Sequence, residues 1–146
     1  MDRTLILVKP DACERGLTGE ILARFERKGL RIRALKQMQV SRATAERHYD
    51  EHRGKEFFDS LVDFITGGSL VALVLEGDRA VEAARQIIGS TDPIDAAPGS
   101  IRGDFGLQIR TNLVHGSDSS ESAAREEGIF FPELRASEDA APLLRG

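Results

Sequence analysis

Residues 66–89 read TGGSLVALVLEGDRAVEAARQIIG, and two periods meet inside them. Leu70 to Leu75 is an unbroken apolar run of strand length, preceded by the turn-forming Thr66-Gly67-Gly68-Ser69. Past Glu76 the spacing changes: Ala80, Val81, Ala84, Ile87 and Ile88 fall on one stripe of a 3.6-residue helix, with Asp78 expected to cap its start and Gly89 its end. A buried strand feeding an amphipathic helix is a unit of mixed packing, so the fold depends on how often and in what order that unit recurs.

Upstream, Thr4 to Val8 reads as a short buried strand, followed by a helix that Thr18 is expected to cap, with Ile21, Leu22 and Phe25 on one face before Gly29 stops it. From Arg31 to Val40 the apolar residues Ile32, Ala34, Met38 and Val40 recur with period 2, which predicts a half-exposed strand. Ser41 opens a helical stretch to about His52, and a second runs from Phe57 to Ile65. Downstream, residues 90–106 contain Pro93 and Pro98 and read as one long irregular loop, a kind of segment that usually carries function. Leu107, Ile109, Thr111 and Leu113 then alternate as a last strand leading to Val114 and His115. A final helix follows, with Asp118 and Glu121 as a capping box or Ser117 or Ser119 as the cap.

The order predicts an α+β fold: a ferredoxin-like βαββαβ sandwich, its antiparallel sheet covered by helices on one face, with an inserted helical hairpin and a long loop. Residues 1–132 form one domain, and 133–146 form a tail read as extended or partly disordered, apart from possible docking of Leu143 and Leu144.

With 146 residues, 40% hydrophobic and 30% charged, the chain has the makeup of a globular domain, and no apolar run nears the length that spans a bilayer. The apolar run before Lys9 is too short for a secretion signal, and the lone Cys13 excludes an internal disulfide, so a cytoplasmic setting is expected. Residues 1–50 hold 11 Lys/Arg against 7 Asp/Glu, but the net charge of −4 makes nucleic acid an unlikely partner, and the cluster Arg24, Arg27, Lys28, Arg31, Arg33 suits a solvated face.

His115 stands where a strand ends and a helix begins, beside backbone N–H groups that favour anions such as phosphate. A neutral imidazole there is a competent nucleophile, although taken alone its ordinary reading is a cap histidine bonding the first turn. No Walker loop, dinucleotide-binding glycine motif or protein-kinase signature occurs, so phosphate chemistry must rest on side chains and helix ends. Arg85, Thr91 and Arg102 are candidates to converge on a polyphosphate, although taken singly the ordinary reading of each is a surface charge or turn residue.

Six segments decide between these readings. VKPDA (8–12), HY (48–49), EGD (76–78), TDP (91–93), APGSIRGDF (97–105) and NLVHGSDSSESA (112–123) together resemble the nucleoside diphosphate kinase family, over roughly residues 3–132. The resemblance implies transfer of the terminal phosphate of a nucleoside triphosphate to a nucleoside diphosphate, in two half-reactions through a phosphohistidine at His115. It implies that Lys9 and Tyr49 lie close to the transferring phosphate and that Arg85, Thr91 and Arg102 hold the phosphates. By the same resemblance Asn112 bonds the ribose, Glu126 orients His115 and Ser117 bonds Glu126. Phe57 would stack on the base, with Leu61 at the pocket edge. No residue is implied as a metal ligand; Mg²⁺ would be held mainly by the nucleotide phosphates. A dimer-based tetramer or hexamer is the implied assembly. Cys13, Ser69 and Glu127 depart from the family pattern. A non-catalytic ferredoxin-like regulatory protein binding nucleotide or nucleic acid is the alternative.

Overall fold

Strand β1 (Asp2–Val8) has Leu5, Ile6, Leu7 and Val8 all at 0% exposure, because its alternate side chains enter two separate cores. Each such side chain stabilises the fold by about 1.5–3 kcal/mol relative to exposure. In this computed structural model, which describes residues 2–140, β1 is followed by α1 (Pro10–Glu14), α2 (Thr18–Lys28), β2 (Arg31–Gln39), α3 (Arg42–His48), α4 (Phe58–Thr66), β3 (Ser69–Gly77), α5 (Ala80–Ile88), α6 (Ile101–Phe105), β4 (Val114–Gly116), α7 (Ser120–Phe130) and α8 (Pro132–Ala140). The sheet order is β2-β3-β1-β4 with every pair antiparallel, the ferredoxin-like arrangement, and α3 with α4 forms the inserted hairpin.

Helices cover both faces of the sheet, where one was expected. Ile6, Val8, Val71, Leu73 and Leu75 pack against α2 and α5 through Ile21, Phe25, Ala84 and Ile88. Leu5, Leu7, Leu70, Ala72 and Val74 pack against α3, α4, α7 and α8 through Ala45, Val62, Ile65, Phe130 and Leu134. The continuous apolar runs of β1 and β3 follow from this, since a strand buried on both sides has no polar alternation.

Several boundaries differ from the sequence expectations. Leu107 to Leu113 is not a strand: Ile109–Thr111 is a 3-10 turn, and Leu107 and Ile109 are 76% and 53% exposed. The ladder stops because Lys9 N–H to the Leu113 carbonyl (2.9 Å) is its last rung; the next residue, Pro10, has no N–H and begins α1. The long loop is also less irregular than read, since Asp92 caps a 3-10 turn at Pro93–Asp95 and Ser100 caps α6. Asp78 does not cap α5, which follows Arg79 in a left-handed conformation (φ 52°), and Thr18 lies inside α2 without capping it. Ser119 is the cap of α7, accepting from Ser122 N–H at 3.0 Å. The stretch read as an extended tail is helical as far as Ala140, held by buried Leu134 and by ion pairs from Lys36 to Glu133 and from Arg3 and Arg33 to Glu138. Leu143 and Leu144 lie outside the described residues.

Candidate active site

The approach to His115 is set by a strained turn. Leu113 has φ 77° and is fully buried, and Val114 N–H closes a tight bond to the Asn112 carbonyl at 2.9 Å. A left-handed φ is unfavourable for a branched side chain and persists only where its surroundings impose it. Here Asp11 Oδ2 accepts from Leu113 N–H at 3.1 Å, and Lys9 N–H takes the Leu113 carbonyl. The turn delivers His115 into register with Leu7 on β1. Gly116, the next residue, lets β4 lie directly on α5, where a Cβ would meet Ile88 Cδ1 at 2.6 Å.

His115 Nε2 donates to Glu126 Oε1 at 2.8 Å, and Ser117 Oγ donates to the same oxygen at 2.8 Å. A carboxylate only accepts, so Nε2 carries the hydrogen, and in the neutral ring Nδ1 keeps its lone pair. Ser117 is itself fixed, its Oγ accepting from Leu5 N–H at 3.1 Å, so the strand, the serine and the glutamate orient the ring in series. His48 packs edge to face on His115 with centroids 4.7 Å apart, and Tyr49 lies against His48 at 4.6 Å. Burial pushes the Tyr49 hydroxyl up to about 12, with the nearby Glu126 adding to the effect, so it stays a neutral donor.

Three cations converge beside the histidine. Lys9 Nζ donates to Asn112 Oδ1 at 2.9 Å, and Asn112 Nδ2 donates onward to the Thr91 carbonyl at 3.1 Å. Burial pushes the Lys9 ammonium down to about 8, and neighbouring Arg102 adds to the shift. Arg102, only 8% exposed, holds the carbonyls of Gly89, Asn112 and Val114 and is pushed down to about 10 by burial and by Arg85. Arg85, in the last turn of α5, donates to the Gly116 carbonyl at 3.3 Å. Asp11 only partly compensates Lys9 and Arg102, whose ionised forms stay disfavoured by burial, and an anion between the three cations relieves the cost.

These groups line a cleft of about 760 Å³. Lys9, Tyr49, Phe57, Leu61, Arg85, Thr91, Arg102, Asn112, His115 and Glu126 all face it, whereas Ser117 is buried behind Glu126. Phe57 stands at the mouth, 41% exposed. A family profile described as "Nucleoside diphosphate kinase" matches residues 2–136. The chain belongs to the nucleoside diphosphate kinase family. It is 62% identical over 134 residues to a nucleoside diphosphate kinase of Saccharopolyspora erythraea, covering 91% of this chain and 98% of that one. Among solved structures it resembles a nucleoside diphosphate kinase family protein from Babesia bovis (47% identity, TM-score 0.89, covering 91% of this chain and 90% of that one). It also resembles a halophilic nucleoside diphosphate kinase from Halobacterium salinarum in complex with CDP (48% identity, TM-score 0.87, covering 89% and 87%).

Membership makes the chain a phosphotransferase acting between nucleotides, with a divalent cation required for catalysis. The carboxylates lining the nucleoside diphosphate kinase cleft, Glu51, Asp118 and Glu126, are too few and too mixed with cations to build an oxygen cage of their own. They fit a hard cation that arrives on the phosphates. Two residues escaped the sequence reading. The place of His48 between apolar Ala45 and Tyr49 on a helix face signals burial and no chemistry, and Asp11, inside the VKPDA segment, meets a partner 102 residues away that no local pattern points to. Among the described residues no helix is long and apolar enough to cross a membrane.

Proposed function

We propose that His115 Nδ1 is the nucleophile of a two-step transfer. Its lone pair attacks the γ-phosphorus of a nucleoside triphosphate; an N–P bond forms, the bond to the β-phosphate oxygen breaks and the nucleoside diphosphate leaves. An acceptor diphosphate then reverses the step with its own β-oxygen, so donor and acceptor use one cleft in turn. The observation that carries this reading is the 2.8 Å bond from His115 Nε2 to Glu126, which leaves Nδ1 as the attacking nitrogen. Glu126 and Ser117 hold the ring, and the Tyr49 hydroxyl and Lys9 ammonium donate to the transferring phosphoryl group. Arg85, Arg102 and Thr91 hold the flanking phosphates, and Asn112 exchanges its Lys9 bond for the ribose hydroxyls.

Phe57 and Leu61 hold the base by stacking and edge contact; stacking accepts any base, which favours broad tolerance among purines and pyrimidines. The cation is Mg²⁺, which when bound to the phosphate oxygens supplies neutralisation of the charge developed in transfer. Asp118 is the cleft carboxylate suited to hold its outer water. The protein acts in the cytoplasm as a homo-oligomer, a dimer-based tetramer or hexamer. A non-catalytic nucleotide- or nucleic-acid-binding role is not favoured, because the nucleophile and its orienting groups are present together.

Incubation with triphosphate labelled at the γ-position should give an acid-labile, base-stable phosphoprotein that passes its label to a second nucleoside diphosphate. His115→Ala should lose both. Label retained in His115→Ala would refute the assignment.

A further inference from the structure

His48 is 3% exposed, and neither of its ring nitrogens has a hydrogen-bond partner. Buried polar groups are almost always paired, so one left open beside a cleft calls for a ligand from outside the chain. The phosphotransfer scheme above does not use it. One ligand atom each from His48, His115 and Glu126 lies within 4.8 Å of the other two. Two imidazoles and a carboxylate are the donor set of zinc-class ions, whereas magnesium prefers oxygen and retained water.

We propose that His48, His115 and Glu126 form a binding site for a borderline transition-metal cation of the zinc class, which occupies the histidine and shuts off its phosphorylation. Metal–ligand bonds of about 2.0–2.1 Å draw tetrahedral donors to about 3.3 Å apart. His115, with 22% of its side chain exposed, has room to turn and close the difference. Phe130 and Tyr49 pack on His48 with ring centroids 5.3 and 4.6 Å away, and His48, His115 and Glu126 all line the cleft. Lys9, Arg85 and Arg102 in the same cleft, and Arg125, which approaches Glu126 Oε2 at 3.8 Å, oppose a cation there. Nε2 is the nitrogen that faces Glu126, so a metal bound there takes its lone pair and leaves the ring hydrogen on Nδ1, and the metal-bound ring cannot attack phosphorus. The metal-binding half of the proposal is independent of the nucleophile assignment; the inhibitory half rests on it.

Cobalt(II) titrated into nucleotide-free protein reports the site through its ligand-field absorption. One equivalent per chain should bind with a tetrahedral-type band, zinc should displace it, and a thiolate charge-transfer band from Cys13 should be missing. His48→Gln should weaken binding about tenfold or more, and Glu126→Gln, which leaves both rings packed, should weaken it too if His48→Gln fails to fold. His52→Gln, on the half-buried third histidine of the same cleft, should leave binding unchanged. With excess magnesium and ATP, zinc should slow labelling of the unsubstituted protein and lose that effect in His48→Gln. Equal cobalt binding with and without His48, a band that follows His52, or no band at all would overturn the site. A band that follows His48 while His115→Ala still accepts phosphate would instead leave the site standing and discard the nucleophile assignment.

Discussion

Arg3, near the start of β1, and Lys9, just past its end, are cations on the same central strand with opposite surroundings. Arg3 Nε pairs with Glu76 and Nη1 with Glu127, each at 2.9 Å, and Nη2 pairs with Glu138. The Glu138 hydrogen bond foremost holds the Arg3 guanidinium above its usual range. Lys9 is bonded to a neutral amide, and burial lowers it. Helix α7 serves both ends with adjacent residues, Glu126 turned to His115 and Glu127 to Arg3. One end of the strand is charge-compensated inside the chain; the other keeps positive charge in reserve for a phosphate.

The largest expected effect tests the compensated end. Arg3→Met strands Glu127 and Glu76 without their cation, and breaking a buried pair costs about 3–5 kcal/mol. Because Arg3 keeps 25% of its side chain exposed, roughly 2–3 kcal/mol is expected after discounting for solvent. Urea denaturation should read this loss, the labelling rate of folded protein should hold, and Glu127→Leu added to Arg3→Met should recover part of it. At the other end, Lys9→Met should slow the transfer step by about 100-fold, the scale of a lost donor to a developing anion. It should not lower stability much, since removing a desolvated cation offsets the unpaired Asn112 oxygen left behind. Stopped-flow labelling and urea midpoints on the same samples separate the two outcomes. A large stability loss in Lys9→Met would erase the contrast.

The two ends should also answer pH with opposite limbs. Glu138 is pulled down to about 2 from its ordinary 4.5, first by its hydrogen bond from Arg3. The unfolded chain therefore binds this proton more readily, and the stabilisation present above pH 4.5 fades as the pH falls toward 2. Lys9 is lowered from 10.5 to about 8, so between those values the unfolded chain again binds more protons, and stability rises with pH. Over the same window the free enzyme loses its cation, and kcat/KM should fall as the pH passes about 8. Urea midpoints across pH should lose the acid limb in Glu138→Gln and the alkaline rise in Lys9→Met.

Much of this architecture is legible in one dimension. The period change around Leu70 to Ile88 gives β3 and α5 nearly to the residue, and the apolar run of β1 is a burial signal. What periodicity misses is pairing across the chain. The alternation at 107–113 looks like a strand, but Pro10 removes the donor that would extend the ladder. Glu127 reads as a misplaced charge until Arg3, 124 residues away, is folded against it. The cleft residues are individually ordinary, and only their shared motif spacing gathered them before a structure did. His48 shows the limit of that route: the HY pair was visible, but not that the imidazole is buried against His115 with both nitrogens open.

The smallest effect concerns the helix that the two ends share. Ser119 caps α7 from an exposed position, and Ser119→Ala should cost about 1 kcal/mol. Glu126 and Glu127 sit beyond the first turn, where loss of a cap no longer frays the backbone, and Ser117 and Arg3 hold them independently. The loss should therefore appear in urea denaturation alone, with both the labelling rate and the acid limb unchanged. If labelling slows while the acid limb stays put, the start of α7 positions the catalytic end selectively, and the two ends of β1 are then joined less rigidly than their adjacent glutamates imply.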